Sequence, residues 1–118
     1  MSSTPAIDPS AIENLRALSP DDHDEFLREI VGIFLDDTPK RIAELDHSLA
    51  ADDNATFSRA AHSIKGSSSN LGANALRAVA EKLEQQSRSG LTDVAPLIAT
   101  VKTEFARAQA ELNKLIGK

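Results

Sequence analysis

Residues 94–115, VAPLIATVKTEFARAQAELNKL, place Val94, Ile98, Val101, Phe105, Ala108, Leu112 and Leu115 at spacings of 4, 3, 4, 3, 4 and 3. Such spacing stacks apolar side chains into one seam, the pattern of a helix packed nearly parallel to its neighbours. Upstream, Gly90 closes a connection after a helix predicted from Ala73 to Ser87 with Leu76, Val79, Ala80 and Leu83 inward. Before it, Asp52 or Asp53 caps a helix running from about Asn54 to Ser69, which leaves through Asn70 and Gly72, residues that tolerate a left-handed exit.

The N-terminal half reads the same way. Asp8-Pro9 and Ser19-Pro20 each place a capping oxygen before a proline at the first helical position, where its missing N–H costs nothing. The first predicted helix is short, to about Leu18. The second carries Phe26, Leu27, Ile30, Val31 and Phe34 on one face. Thr38-Pro39 then either starts a new helix or bends a continuous one, because Ile42, Leu45 and Leu49 extend the apolar stripe. No stretch alternates apolar and polar residues long enough for a strand. The expected fold class is all-α: an antiparallel four-helix bundle with a short extra N-terminal helix, one domain over 1–118 with 1–7 loose.

Composition narrows the function. The 118 residues contain no cysteine, which excludes disulfide scaffolds and thiolate chemistry. The longest apolar run, Ile30 to Leu35, is far below the roughly 20 residues of a membrane span, and Met1 to Pro5 does not read as a secretory signal, so a cytoplasmic protein is expected. A net charge of −5 without Trp or Tyr argues against a nucleic-acid binder. The charge is unevenly spread: residues 1–54 hold 13 acidic and 4 basic side chains, residues 55–118 hold 5 and 9.

The informative segment is Ala61-His62-Ser63-Ile64-Lys65-Gly66-Ser67-Ser68-Ser69-Asn70-Leu71-Gly72-Ala73. At about 100° per residue, Phe57, Ala60, Ile64 and Leu71 fall opposite His62, so they form the core face and His62 points to water. Ser58, Arg59, Lys65, Gly66 and Ser69 share the His62 side. An exposed neutral imidazole is a nucleophile that can take a phosphoryl group and pass it on. Lys65, one turn along, brings a cation to the phosphoryl oxygens. A glycine inside a helix costs about 1 kcal/mol relative to alanine, so Gly66 beside this histidine points to close approach of a second protein. Arg59 adds positive charge, while Ser58 and Ser69 keep the stripe small and polar.

These residues resemble the histidine-containing phosphotransfer (HPt) domains of multistep phosphorelays. The family pattern of His, an aliphatic residue at +2, Lys at +3, Gly at +4, small residues and a Leu-Gly-Ala close is met by His62, Ile64, Lys65, Gly66, Ser67, Ser68, Leu71, Gly72 and Ala73. The resemblance implies that His62 is the phosphoacceptor through Nε2, aided by Lys65 and Gly66. It also implies a Gln or Glu on the following helix beside the phosphohistidine, a place held by Glu84. Glu84 and Arg88 share a flank of that helix, which would bring them beside His62, where Glu84 would accept the Nδ1–H bond.

By this reading the protein is a phosphoryl carrier and not an enzyme with its own turnover. It has no cofactor and no metal of its own, because any Mg²⁺ would belong to the receiver. Its partners are receiver domains of response regulators or of a hybrid histidine kinase, with Ser58, Arg59 and Arg88 at the contact. It acts as a monomer, without membrane or nucleic acid. The alternative is a helical docking module that uses the same face without chemistry. Other motifs carry no function: His23 lies exposed in an acidic first turn. Glu44 and His47 form a single Glu-x-x-His unit where a di-iron bundle needs two. Lys65-Gly66-Ser67-Ser68 reverses the order of a phosphate loop and follows no strand, and Ser67 to Ser69 lack a catalytic base and acid.

Overall fold

The computed structural model describes residues 5–117, and among them every regular element is helical: α1 (Pro9–Leu18), α2 (Glu25–Ala50), α3 (Asn54–Asn70), α4 (Asn74–Ser87) and α5 (Ala95–Leu115). The chain is all-α, as its periodicity predicts. Helix α3 packs against α2 and α4, α4 against α5, and α5 closes the ring on α2, with α1 laid against α2. Turns of a few residues make consecutive bundle helices antiparallel.

One apolar cluster runs through the structure. Leu27, Val31, Phe34, Ile42 and Leu45 of α2 meet Phe57, Ala60 and Ile64 of α3, Leu76, Ala80 and Leu83 of α4, and Ile98, Val101, Phe105, Ala108 and Leu112 of α5. Phe34 and Phe105 join α2 to α5 with ring centroids 5.6 Å apart and planes tilted by 46°, a favourable aromatic geometry. The seam read from the sequence ends one turn early, because Leu115 is 37% exposed. Phe26, Ile30 and Val79, expected inward, sit at the edge of the core and are only partly covered. Among the described residues no helix is long and apolar enough to cross a membrane.

The second helix does not start where Ser19-Pro20 predicts. His23 and Asp24 adopt left-handed backbone with φ of 56° and 66°, so the chain turns through 19–24 and the helix begins at Glu25. Its first turn is capped by Asp22, whose Oδ2 accepts from the Phe26 N–H at 3.0 Å, and not by Ser19. His23 therefore lies in the turn before the helix. Pro39, left open by the sequence, is inside one continuous helix. Elsewhere the capping logic holds: Asp8 accepts from Ser10 N–H and Asp53 from Thr56 N–H.

The helix carrying His62 is pinned at both ends. At its start the Asn54 Nδ2 donates to the Ser87 carbonyl at the end of α4, 2.6 Å. At its exit Gly72 has φ of +69° and its carbonyl accepts from Asp8 N–H at 2.9 Å. Residues 1–4 of the stretch expected to be loose lie outside the described residues, while Ile7 is buried in the core at 8% exposure. A Cβ at Gly72 would stand 2.6 Å from the Ala11 Cβ and 2.9 Å from the Asp8 Cβ. Gly72→Ala is therefore expected to push α1 off the bundle and lower stability by about 2–3 kcal/mol, from left-handed strain and overpacking. Urea unfolding of the variant would check this; an unchanged midpoint would refute it.

Candidate functional site

The buried face of α3 is Phe57, Ala60, Ala61, Ile64 and Ser68, which turns His62 outward. Its side chain is 67% exposed. Ser67, Ser68 and Ser69 return their hydroxyls to carbonyls of the preceding turn, Ser68 to Ile64 at 2.6 Å and Ser69 to Lys65 at 3.1 Å, so the serine run closes on its own helix.

From α4, Glu84 reaches across to α3. Its Oε2 lies 2.9 Å from His62 Nδ1 and its Oε1 accepts from Lys65 Nζ at 2.8 Å, with the Glu84 side chain only 15% exposed. Leu83, buried beside it, and Ala80 one turn earlier anchor this stretch of α4 in the core. One carboxylate thus engages two side chains a turn apart. The hydrogen bond from Lys65 holds the Glu84 carboxyl below its ordinary pKa of 4.5, outweighing its burial, and the His62 contact adds to the effect. A charged carboxylate at Nδ1 favours the tautomer with the proton on Nδ1, leaving the Nε2 lone pair free and facing solvent.

Gly66 is exposed on the same side, and a Cβ there would meet nothing within 4 Å. Its lack of a side chain answers no crowding inside this chain. Arg59 is exposed, with a 3.4 Å hydrogen bond to Thr56 Oγ1, and Ser58 is half-buried. Arg88 follows α4 as its capping residue, exposed and without an ion pair, so of the α4 pair expected at the ring only Glu84 touches it. Lys65, read from the sequence as open to a phosphoryl group, is committed to Glu84 at rest. Among the described residues no group of three His, Asp or Glu side chains is placed to hold a metal ion.

The Hpt domain family model matches residues 29–111. The chain belongs to that family. The Hpt match takes in most of α2, all of α3 and α4, and α5 as far as Glu111. The Hpt chain is 34% identical over 89 residues to Multistep phosphorelay regulator 1 of Schizosaccharomyces pombe, covering 72% of this chain and 30% of that protein. It is 35% identical over 83 residues to Histidine-containing phosphotransfer protein 5 of Arabidopsis thaliana, covering 64% of this chain and 53% of that protein. The chain therefore spans about half or less of these relatives. Among solved structures it is similar to histidine-containing phosphotransfer protein B from Pseudomonas aeruginosa PAO1, with TM-score 0.84, 31% identity and 95% of each chain covered. The HPT domain of a Shewanella sensor hybrid histidine kinase shares the fold, with TM-score 0.72, 17% identity, and 90% of this chain and 92% of that one covered.

Because Glu84 has a lowered pKa in the folded protein, the unfolded chain binds more protons below 4.5, and the stability that Glu84 contributes is complete above that pH and lost as pH falls through the folded value. Glu84→Gln is expected to be less stable than the parent by about 1 kcal/mol or less at pH 7, since the pair's partners are partly solvated. The difference should shrink as the pH falls below 4.5 and vanish once Glu84 is protonated in the folded protein. Urea titrations of both proteins across that range would check it, and a gap that widens on acidification would contradict the assignment.

Proposed function

We propose that this chain is a histidine phosphotransfer domain of a multistep two-component phosphorelay, with His62 receiving a phosphoryl group from an aspartyl phosphate of one receiver domain and delivering it to the aspartate of another. The observation that carries the reading is the solvent-facing ring of His62 with Nδ1 held by Glu84 and Lys65 one turn away. The Nε2 lone pair attacks phosphorus and an N–P bond forms. The P–O bond to the donor's acyl oxygen breaks, and that electron pair leaves with the carboxylate. The Nδ1 proton stays in place, and Glu84 faces the positive charge that spreads over the phosphorylated ring. Reversal onto a second carboxylate regenerates neutral His62, so no water and no net acid are consumed.

Lys65 then exchanges one anion for another. At rest its ammonium rests on Glu84; when the phosphoryl group arrives, a dianionic neighbour competes for it, and the 27% exposure of the lysine side chain leaves it able to turn. Gly66 gives the incoming protein a bare stretch of helix next to the ring. Arg59, Ser58 and Ser69 border the approach, and Arg88 lies one turn beyond Glu84. The domain is a carrier that acts as one unit and as a monomer in the cytoplasm. The burial of the apolar seam within the bundle supports the monomer, and the Hpt family match and the phosphorelay and phosphotransfer names of its relatives support the receiver partners. The location fits the lack, among the described residues, of a helix long and apolar enough to cross a membrane.

Phosphoramidate, a donor that needs no partner, is expected to give an acid-labile, base-stable phosphoryl label on the protein, lost in His62→Gln. Label that persists in the variant would place the acceptor elsewhere. With a phosphorylated receiver as donor, Lys65→Ala should slow transfer about tenfold, less than a fully enclosed donor would because the site is open to solvent. Gly66→Leu should abolish receiver-dependent labelling while phosphoramidate labelling continues. Unaltered receiver transfer in that variant would show that no close approach occurs at Gly66.

A further inference from the structure

We infer that Arg77, with Arg88 on the α4 side of His62 and Arg59 on the α2 side, forms a cationic frame that docks an acidic protein surface around His62; the inference deepens the phosphorelay reading and rests on it. Four arginines of the described residues make no ion pair: Arg28, Arg59, Arg77 and Arg88. Arg59 and Arg77 belong to α3 and α4, the helices that carry the site, and Arg88 directly follows α4, whereas Arg16, Arg41 and Arg107 are all paired to acids. Helix α3 has no acidic residue, and α4 has only Glu81 and Glu84, the second already committed to His62 and Lys65.

Helix register puts these cations around the ring. Arg77, Glu81, Glu84 and Arg88 follow at spacings of 4, 3 and 4, so they run along one stripe of α4, the stripe whose member Glu84 touches His62. Because α3 and α4 are antiparallel and His62 meets Glu84, Arg77, seven residues before Glu84, stands level with Ser69, seven after His62. At about 1.5 Å per residue this is roughly 10 Å along the bundle from the ring, with Arg88 roughly 6 Å the other way. A protein that covers about 800 Å² here has a footprint of roughly 16 Å radius, and the positions of Arg77, Arg88 and Arg59, three residues before His62, all fall within that reach along the bundle.

Their chemistry fits a phosphorylated partner. A donor that presents an acyl phosphate brings an anionic group in a carboxylate-lined pocket, and Arg77 is half-buried and makes no ion pair, even with Glu81 one turn along its own stripe. Rim charges of this kind raise the rate of encounter and fix its orientation, and their effect fades with salt. Arg28 supplies the control. It is also unpaired and exposed, but it lies on α2 fourteen residues before Ile42, the residue that the antiparallel α2–α3 register sets level with His62. That is roughly 21 Å along the bundle, outside the same footprint.

The test compares Arg77→Gln with Arg28→Gln, variants of equal net charge, using receiver domains of response regulators from the same genome charged with acetyl phosphate. At low salt Arg77→Gln is expected to lower the second-order transfer rate two- to threefold, a difference that shrinks towards none at about 0.5 M salt, while Arg28→Gln tracks the parent. Equal losses in both variants, or no loss in Arg77→Gln, would overturn the inference. Association of the unphosphorylated receiver, followed in parallel, separates it from the relay reading. Arg77-dependent binding without label on His62 would keep the docking frame and remove the relay. Label on His62 with no dependence on Arg77 would do the reverse, and no binding by any receiver would overturn the frame.

Discussion

A single carboxylate decides what the exposed histidine can do. Glu84 comes from a different helix, is mostly covered, and gives one oxygen to His62 and the other to Lys65. Everything else in the site depends on that reach. If α4 slid by one residue against α3, the side chain at this level would leave its position by about 100°, and neither contact would survive. The register is held by means visible in the structure: Ala61 and Ile64 of α3 and Ala80 and Leu83 of α4 buried in one core, the Asn54 amide on the Ser87 carbonyl at one end, and the tight Gly72 turn pressed against α1 at the other.

The arrangement separates stability from chemistry. Ion pairs this open to water contribute little to folding, so the Glu84 cluster does its work by orientation: it keeps one nitrogen of the ring occupied and leaves the other facing solvent. The core carries the fold. Because His62 is two-thirds exposed, a partner can reach it without any opening motion, and because the helix beneath it is pinned at both ends, the ring meets that partner in a defined place. Gly66 costs helix stability, and a Cβ there would meet nothing within the chain, which fits the close approach proposed for a partner.

Electrostatics extend the site over the neighbouring surface. The first half of the chain is acidic and the second basic; Arg16, Arg41 and Arg107 are paired to acids on α1, α2 and α5, whereas Arg59, Arg77 and Arg88, on or beside α3 and α4, make no ion pair. The carrier proposed here, exchanging a phosphoryl group between two receiver domains, needs one face that both can use. A shared rim of cations around one nucleophile has that property, since charge attracts both partners while the contacts that tell them apart remain free to differ.

Much of this could be read from the chain. Helical periodicity set the class and most of the core, capping chemistry marked the starts of α1 and α3, and the angular arithmetic put His62 opposite Phe57, Ala60 and Ile64, where the structure has it. These are local matters, decided by the 3.6-residue turn and by which side chains avoid water. The tertiary structure decided what depends on residues far apart in sequence or on backbone that local patterns do not encode. The left-handed His23 and Asp24 moved the start of α2 to Glu25, and packing carried the helix through Pro39. Above all, 22 residues separate His62 from Glu84, and only the α3–α4 register could bring the carboxylate to both Nδ1 and the Lys65 ammonium while leaving Arg88 beside it unpaired. Distance along the chain carries no information about distance across a bundle until the helices have chosen their faces.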